Sequence, residues 1–196
     1  MPRKKSIRHC AATFNDAADN IASFLSTVST AQSDQHISWL HNYSIIKLYR
    51  EFETLVLDAL VGAINNDTET IAATVGIDFP KHLTDEVCQF LIVGTGYFDF
   101  RGRAGLIGTF KRFIPDDHYL VTIIKKSTYK GALEQLAALR NFATHESPFS
   151  KKAALAAIEG KRIESSGAWL KCEERFEYIR TKLKELALEI KAAAPY

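Results

Sequence analysis

Three residues in the carboxyl-terminal half of the chain combine side chains suited to phosphodiester chemistry: Arg140, Asn141 and His145. An arginine guanidinium carries a fixed fork of donors that binds a phosphate. A histidine imidazole titrates near neutrality, so it can accept or donate a proton. An asparagine amide can hold either group in one orientation. These residue types could cleave RNA without a metal ion, because the 2′-hydroxyl of the RNA can serve as the nucleophile.

The residues around this motif predict that it lies at the end of an amphipathic helix. Apolar residues recur at helical spacing over residues 129–139, and Pro148 disfavours helical backbone at the residue before it. The spacing from Arg140 to His145 is a weak signal on its own. Arginine and histidine in a last helical turn also complement the helix dipole and cap free carbonyls, so a structural role is the alternative.

Helical geometry separates the two ends of the motif. An ideal helix advances roughly 100° per residue, which puts Arg140 and His145 about 140° apart around the axis. Asn141 and His145, four residues apart, share a face. Arg140 and His145 therefore meet one phosphate only if the helix distorts at His145 or if two helices contribute. A two-fold dimer with its motif helices side by side would satisfy the second condition.

The motif and two other segments resemble the HEPN superfamily, and most closely its stand-alone bacterial branch, RiboL-PSP-HEPN. The resemblance is carried by residues 136–150, which contain the pattern Arg-Asn-x-x-x-His, by residues 96–103 and by residues 115–120. It extends over most of the chain, from Ile37 to Leu188. It implies an all-α domain that binds or cleaves RNA, often a toxin or defence effector and often a dimer. Many toxin members carry a tyrosine where this chain has Ser147, so the resemblance does not extend to regulation through that tyrosine.

Composition favours one globular domain. Hydrophobic residues make up 46% of the 196 residues and charged residues 24%, and the net charge of +2 is too small to indicate a polyanion partner by itself. Three widely spaced cysteines favour reduced thiols over a disulfide framework. The basic amino-terminal residues are not followed by the apolar segment of a signal peptide. No apolar run reaches the length of a membrane span. We therefore expect a cytoplasmic protein without a membrane partner.

Helical periodicity dominates the chain and predicts an all-α, single-domain, HEPN-like helical bundle with four to five main helices plus short ones. Residues 1–10 are expected to form a basic tail and residues 11–194 the helical domain. Residues 120–124 are expected as loop or helix. A first helix is predicted at residues 11–29. A second follows a polar break at residues 31–35 and ends at Asn65, and a third begins at Thr84. Further helices are predicted at residues 102–113, 127–144, 151–159 and 168–193.

Several further residues are candidates for supporting roles. Glu53, on the predicted second helix, could orient the arginine or histidine, although an exposed acid paired with a nearby base is the more ordinary expectation. Asp99, Arg101 and Arg103 could fix the geometry of their loop or contact RNA, although a solvated turn is the more ordinary expectation. The remaining histidines have no partner at metal-ligand spacing, so we expect no metal site and no cofactor. Basic side chains that could contact RNA, with solvated helix ends as the alternative, are Arg101, Arg103, Lys126, Lys130, Lys151 and Lys152.

The leading hypothesis is a metal-independent endoribonuclease. His145 would act as base toward the 2′-hydroxyl or as acid toward the leaving 5′-oxygen, and Arg140 would neutralise the charge on the phosphate. Asn141 would orient one of them. The alternative is a non-catalytic HEPN-type module that binds RNA or a protein. Expected partners are RNA, a second copy of the chain in a homodimer, and a separate antitoxin chain.

Overall fold

A computed structural model describes residues 4–195, which form an all-helical bundle without a β-strand. The predicted fold class is thereby confirmed. A short 3-10 turn, Ser127–Tyr129, leads directly into the helix that carries the motif. In chain order the α-helices are α1 (Ile7–Ser29), α2 (Asp34–Asn66), α3 (Thr68–Val75), α4 (Asp85–Val93), α5 (Gly102–Lys111), α6 (Tyr119–Lys125), α7 (Lys130–His145), α8 (Pro148–Ala157), α9 (Ser166–Leu170) and α10 (Arg175–Ala193).

Hydroxyl and carboxylate side chains define where many of these helices begin. Each accepts a hydrogen bond from a backbone N–H of the first turn, which would otherwise lack a partner. The polar break predicted at residues 31–35 contains one of these caps, and Thr84 opens α4 as expected. The capping residues are Ser6 for α1, Ser33 for α2, Asp67 for α3, Thr84 for α4, Ser147 for α8 and Ser165 for α9.

The 33-residue helix α2 is the centre of the bundle. It packs against α1 on one side and against α7 and α9 on the other, while α10 packs against α1 and α7. Phe52 of α2 is fully buried and lies edge-on to Phe14 of α1 and to Phe100. Because α2 contacts both α1 and α7, its side chains reach the motif helix as well as the core.

The amino-terminal residues differ from the predicted tail. Helix α1 begins at Ile7, whose side chain is fully buried. Arg8 donates a hydrogen bond to the carbonyl of Ala194, and Lys5 pairs with Asp58 at 2.5 Å. Burial of an apolar side chain and these two long-range contacts draw residues 4–10 into the bundle. Residues 1–3 of the predicted tail lie outside the described residues.

The predicted helix at residues 168–193 is wrong as a single element. Two helices occupy this region, α9 and α10, and Glu173 and Glu174 between them have positive φ angles of 53° and 54°. Helix α9 packs chiefly against α2, whereas α10 packs chiefly against α1, and the chain changes direction at the two glutamates between them. Helix α3 was not predicted, although Asp67 is a capping residue. Residues 120–124 belong to α6 and are helical.

Candidate functional site

The three motif residues line one cavity of about 620 Å³. Helix α7 continues to His145, and the next residue, Glu146, turns the chain with a positive φ of 45°. The distortion considered at His145 therefore occurs one residue later. Residues of α5, α7 and α8 line the cavity, and both ends of the motif are among them. Arg140 and His145 therefore border the same cavity within one chain.

Arg140 is held by four neighbouring side chains. Its Nη1 donates a hydrogen bond to Asn141 Oδ1 at 2.8 Å. Its guanidinium carbon lies 3.8 Å from the centre of the Tyr49 ring, a cation–π contact. Its Nη2 lies 3.8 Å from Glu53 Oε1 and 3.6 Å from Asp99 Oδ1. These two separations exceed hydrogen-bond length, so the carboxylates attract the guanidinium without occupying its donors on that side.

Glu53 differs from the exposed acid that was the more ordinary expectation. Its side chain is only 13% exposed and faces Arg140 from α2. Burial raises the pKa of Glu53 and the negative charge of Asp99 raises it further, while Arg140 lowers it. The supporting acid and the motif arginine are therefore brought together by the packing of α2 against α7.

Asp99 fixes the loop before α5. Its Oδ1 accepts hydrogen bonds from the Tyr49 hydroxyl at 2.8 Å and from the Arg101 backbone N–H at 3.2 Å. The next side chain, Phe100, is buried and stacks on Tyr49 with ring centres 4.8 Å apart. Burial and the bond to Asp99 raise the pKa of Tyr49 above its usual range. Asp99 therefore fixes the geometry of its loop, which was the alternative to a solvated turn, and links the loop to α2 and to Arg140.

Sequence reasoning missed Tyr49. It precedes Glu53 by four residues, so both project from the same face of α2 toward Arg140. That spacing is a signal only once α2 is known to pack against α7, because an aromatic four residues before an acid is common in helices.

His145 is exposed at the end of α7. Within residues 4–195 its imidazole forms no hydrogen bond or ion pair with another side chain. The helix end is capped through the backbone instead, by the Glu146 N–H, which donates to the Phe142 carbonyl at 3.0 Å. The imidazole is therefore available to a ligand in the cavity.

Two of the six basic candidates are engaged in structural contacts. Arg103 Nε donates to the carbonyl of Ile124 at 3.2 Å, and its Nη2 donates to the carbonyl of Lys125, so this guanidinium caps the end of α6. Lys126 pairs with Glu189 of α10 at 2.6 Å. The charge of Lys126 is thereby neutralised by a carboxylate, whereas Arg103, which also lines the motif cavity, keeps its charge but uses two donors on neutral carbonyls.

The other four basic candidates are exposed, but only Arg101 lines the cavity that contains the motif. Lys151 lines a different cavity beside Lys171. Lys130 and Lys152 line neither of these two cavities. The structure therefore does not gather the predicted basic residues into one rim around the motif.

Comparisons with known proteins found no matching family model, no matching curated protein and no matching solved structure. Within the part of the chain that the structure describes, no group of three or more His, Cys, Asp or Glu side chains is placed to hold a metal ion. Over the same residues, none of the helices combines the length and the apolar character needed to cross a membrane.

Proposed function

We propose that this chain is a metal-independent endoribonuclease. The observation that carries the proposal is the shared cavity of Arg140, Asn141 and His145, in which a cation and an unengaged imidazole face the same space. A phosphodiester placed between them would meet a positive charge on one side and a proton acceptor on the other.

The chemistry requires only the RNA and these side chains. The imidazole of His145 takes the proton of the 2′-hydroxyl, and the 2′-oxygen attacks the adjacent phosphorus. The bond from phosphorus to the 5′-oxygen breaks, and that oxygen takes a proton from the imidazolium or from water. The products are a 2′,3′-cyclic phosphate and a 5′-hydroxyl. Arg140 stabilises the negative charge that gathers on the phosphate oxygens during the reaction.

The neighbours of Arg140 support a positioning role for the surrounding residues. Tyr49 and Asn141 fix the plane of the guanidinium, which a phosphate needs for two parallel hydrogen bonds. Glu53 and Asp99 attract it from beyond hydrogen-bond distance. Nη2 therefore keeps donors for a phosphate, although the nearby carboxylates weaken the binding of an anion.

The same two carboxylates favour one alternative, a non-catalytic HEPN-type module that binds RNA or a protein. One cation beside two acids leaves an excess of negative charge, which suits a structural ion pair better than a phosphate site. In that case Arg140 links α2, α7 and the loop at Asp99. The leading proposal includes three further predictions. They are a role as toxin or defence effector, a cytoplasmic location and a separate antitoxin chain.

Cleavage of labelled RNA in the presence of a chelator tests the proposal. We expect wild type to produce fragments that end in a 2′,3′-cyclic phosphate. Arg140→Ala and His145→Ala are expected to lower the rate by about a hundredfold or more, since each removes a transition-state interaction. His82→Ala, which removes an exposed histidine from a loop, is the matched control and should cleave like wild type.

Three outcomes would count against the ribonuclease. Cleavage that survives in both alanine variants would reject the assigned residues. Loss of cleavage together with loss of helical circular dichroism would assign Arg140 and His145 to the fold. RNA binding by wild type without cleavage of any RNA would favour the non-catalytic module.

A further inference from the structure

Apolar residues form part of the lining of the motif cavity. They are Ala104 of α5, Ala137 and Ala138 of α7, and Phe149 and Ala153 of α8. The Phe149 side chain is 85% exposed, whereas phenylalanine is among the residues most often buried. The cavity lining thus combines Arg140 and other charged side chains with apolar ones, one of which is an uncovered aromatic ring.

The start of α8 fixes the backbone of Phe149. Ser147 and Ser150 form a reciprocal capping box, and Pro148 occupies the first helical turn with a preset φ angle. Ser150 is buried, so this turn is anchored to the bundle while Phe149 points outward. Phe149 follows His145 by only four residues. The backbone that carries Phe149 is therefore fixed, and Phe149 and His145 line the same cavity.

We propose that Phe149 stacks on an unpaired base of the RNA whose phosphate lies between Arg140 and His145. This inference rests on the proposed function, because it uses the same phosphate position. A nucleotide has a charged part and a flat apolar part, and the cavity is lined by both charged and apolar side chains. The cavity volume of about 620 Å³ is in the range of small-ligand sites.

Base stacking on the ring excludes duplex RNA. Aromatic side chains stack on the faces of bases that are splayed out of a helix, and this contact is open to every base. In a duplex both faces of each base are covered by neighbouring pairs. Other exposed aromatic residues, Phe90 at 61% and Tyr97 at 98%, do not line this cavity. Phe149 is distinguished from them by its position beside the motif.

Binding of RNA that cannot be cleaved tests the inference apart from catalysis. Uniform 2′-O-methyl RNA lacks the attacking hydroxyl, so its affinity for wild type can be measured by fluorescence anisotropy as a single strand and as a duplex. We expect tighter binding of the single strand. Phe149→Ala should weaken that binding about tenfold and leave duplex binding unchanged, whereas Phe149→Trp should retain it. Phe90→Ala is the matched control and should bind like wild type.

Equal affinity of Phe149→Ala and wild type for the single strand would overturn the inference. So would an equal loss for single strand and duplex, or a loss that accompanies a change in sedimentation, since Phe149 would then contact another protein chain. Cleavage of unmodified RNA is measured in parallel. If wild type does not cleave but Phe149 still controls single-strand binding, the ribonuclease proposal fails and the base contact stands. If wild type cleaves RNA and Phe149→Ala binds the single strand as tightly as wild type, only the proposed base contact is rejected.

Discussion

At the residue scale, the charge balance around Arg140 decides how strongly an anion can bind. The guanidinium is 19% exposed and has carboxylates of Glu53 and Asp99 within 4 Å. The Glu53 side chain on α2 is 13% exposed. Asp99 is 46% exposed and belongs to a loop, so it is the carboxylate that substitution can neutralise with less effect on the bundle.

We expect Asp99→Asn to bind single-stranded RNA about two- to fivefold more tightly, because an exposed ion pair is worth roughly 0.2–1 kcal/mol. The asparagine oxygen can still accept from Tyr49 and Arg101, so the loop should keep its shape. Titration by fluorescence anisotropy at two salt concentrations checks the effect, which should shrink at high salt.

Asp19→Asn provides the control for a general gain of positive charge. Asp19 is 56% exposed on α1, where it pairs with Arg180 and Lys184. An equal gain for both variants would mean that net charge, and not the Arg140 site, controls binding. An unchanged affinity of Asp99→Asn would show that Asp99 does not compete with the phosphate.

At the element scale, the short helix α9 holds α2 and α7 together. The hydroxyl of Ser166 donates to the Leu139 carbonyl of α7 at 2.7 Å, and the Gly167 N–H donates to Asn42 Oδ1 of α2 at 2.6 Å. A Cβ atom at Gly167 would overlap the carbonyl oxygen of Ser38. Glycine is required at this position because the backbones of α9 and α2 meet there.

Gly167→Ala is expected to lower the free energy of unfolding by about 1–3 kcal/mol, the usual cost of overpacking a close contact. Equilibrium denaturation with guanidinium chloride measures the change. Gly108→Ala is the matched control, because an added Cβ at this exposed position of α5 meets nothing within 4 Å. That variant should gain about 0.4–1 kcal/mol through reduced freedom of the unfolded chain. If Gly167→Ala is as stable as wild type, α9 can move away from Ser38 of α2 without loss of stability.

At the scale of the whole molecule, the homodimer stays a prediction that rests on the family resemblance. We expect sedimentation equilibrium to give twice the chain mass of 21.9 kDa. The two α7 helices are expected to approach across the two-fold axis, since Asn141, half-buried, and His145, exposed, lie on a face of α7 that the bundle leaves partly open. A monomer at high concentration would contradict this arrangement.

Co-expression of differently tagged Arg140→Ala and His145→Ala chains tests whether a dimer would share its sites. Because both residues line one cavity within a single chain, we expect purified mixed dimers to stay inactive. Recovery of a substantial part of the wild-type activity would mean that Arg140 of one protomer acts with His145 of its partner. Mixed dimers of wild type and His145→Ala are the control and should keep activity.

Much of the local structure was predictable because its signals are local. Ser33 and Thr84 cap helices through side chains three residues from the N–H groups that they accept from. Pro148 marks the boundary after the motif helix and begins the next one. The break between α9 and α10 was not predictable in this way, because it depends on two different packing partners far along the chain.

The sequence by itself determined the all-helical class, several helix boundaries and the chemical types in the motif, since capping, periodicity and proline act over a few residues. The start of α8 at Pro148 instead of residue 151, the start of α1 at Ile7 and the whole of α3 were not predicted. Only the tertiary structure decided what surrounds them. Glu53 and Asp99 are separated from Arg140 by 87 and 41 positions in the chain, and they meet it because α2 and the loop at Asp99 pack against α7. Side-chain contacts between distant elements depend on the packing of the whole bundle, which no short stretch of residues encodes.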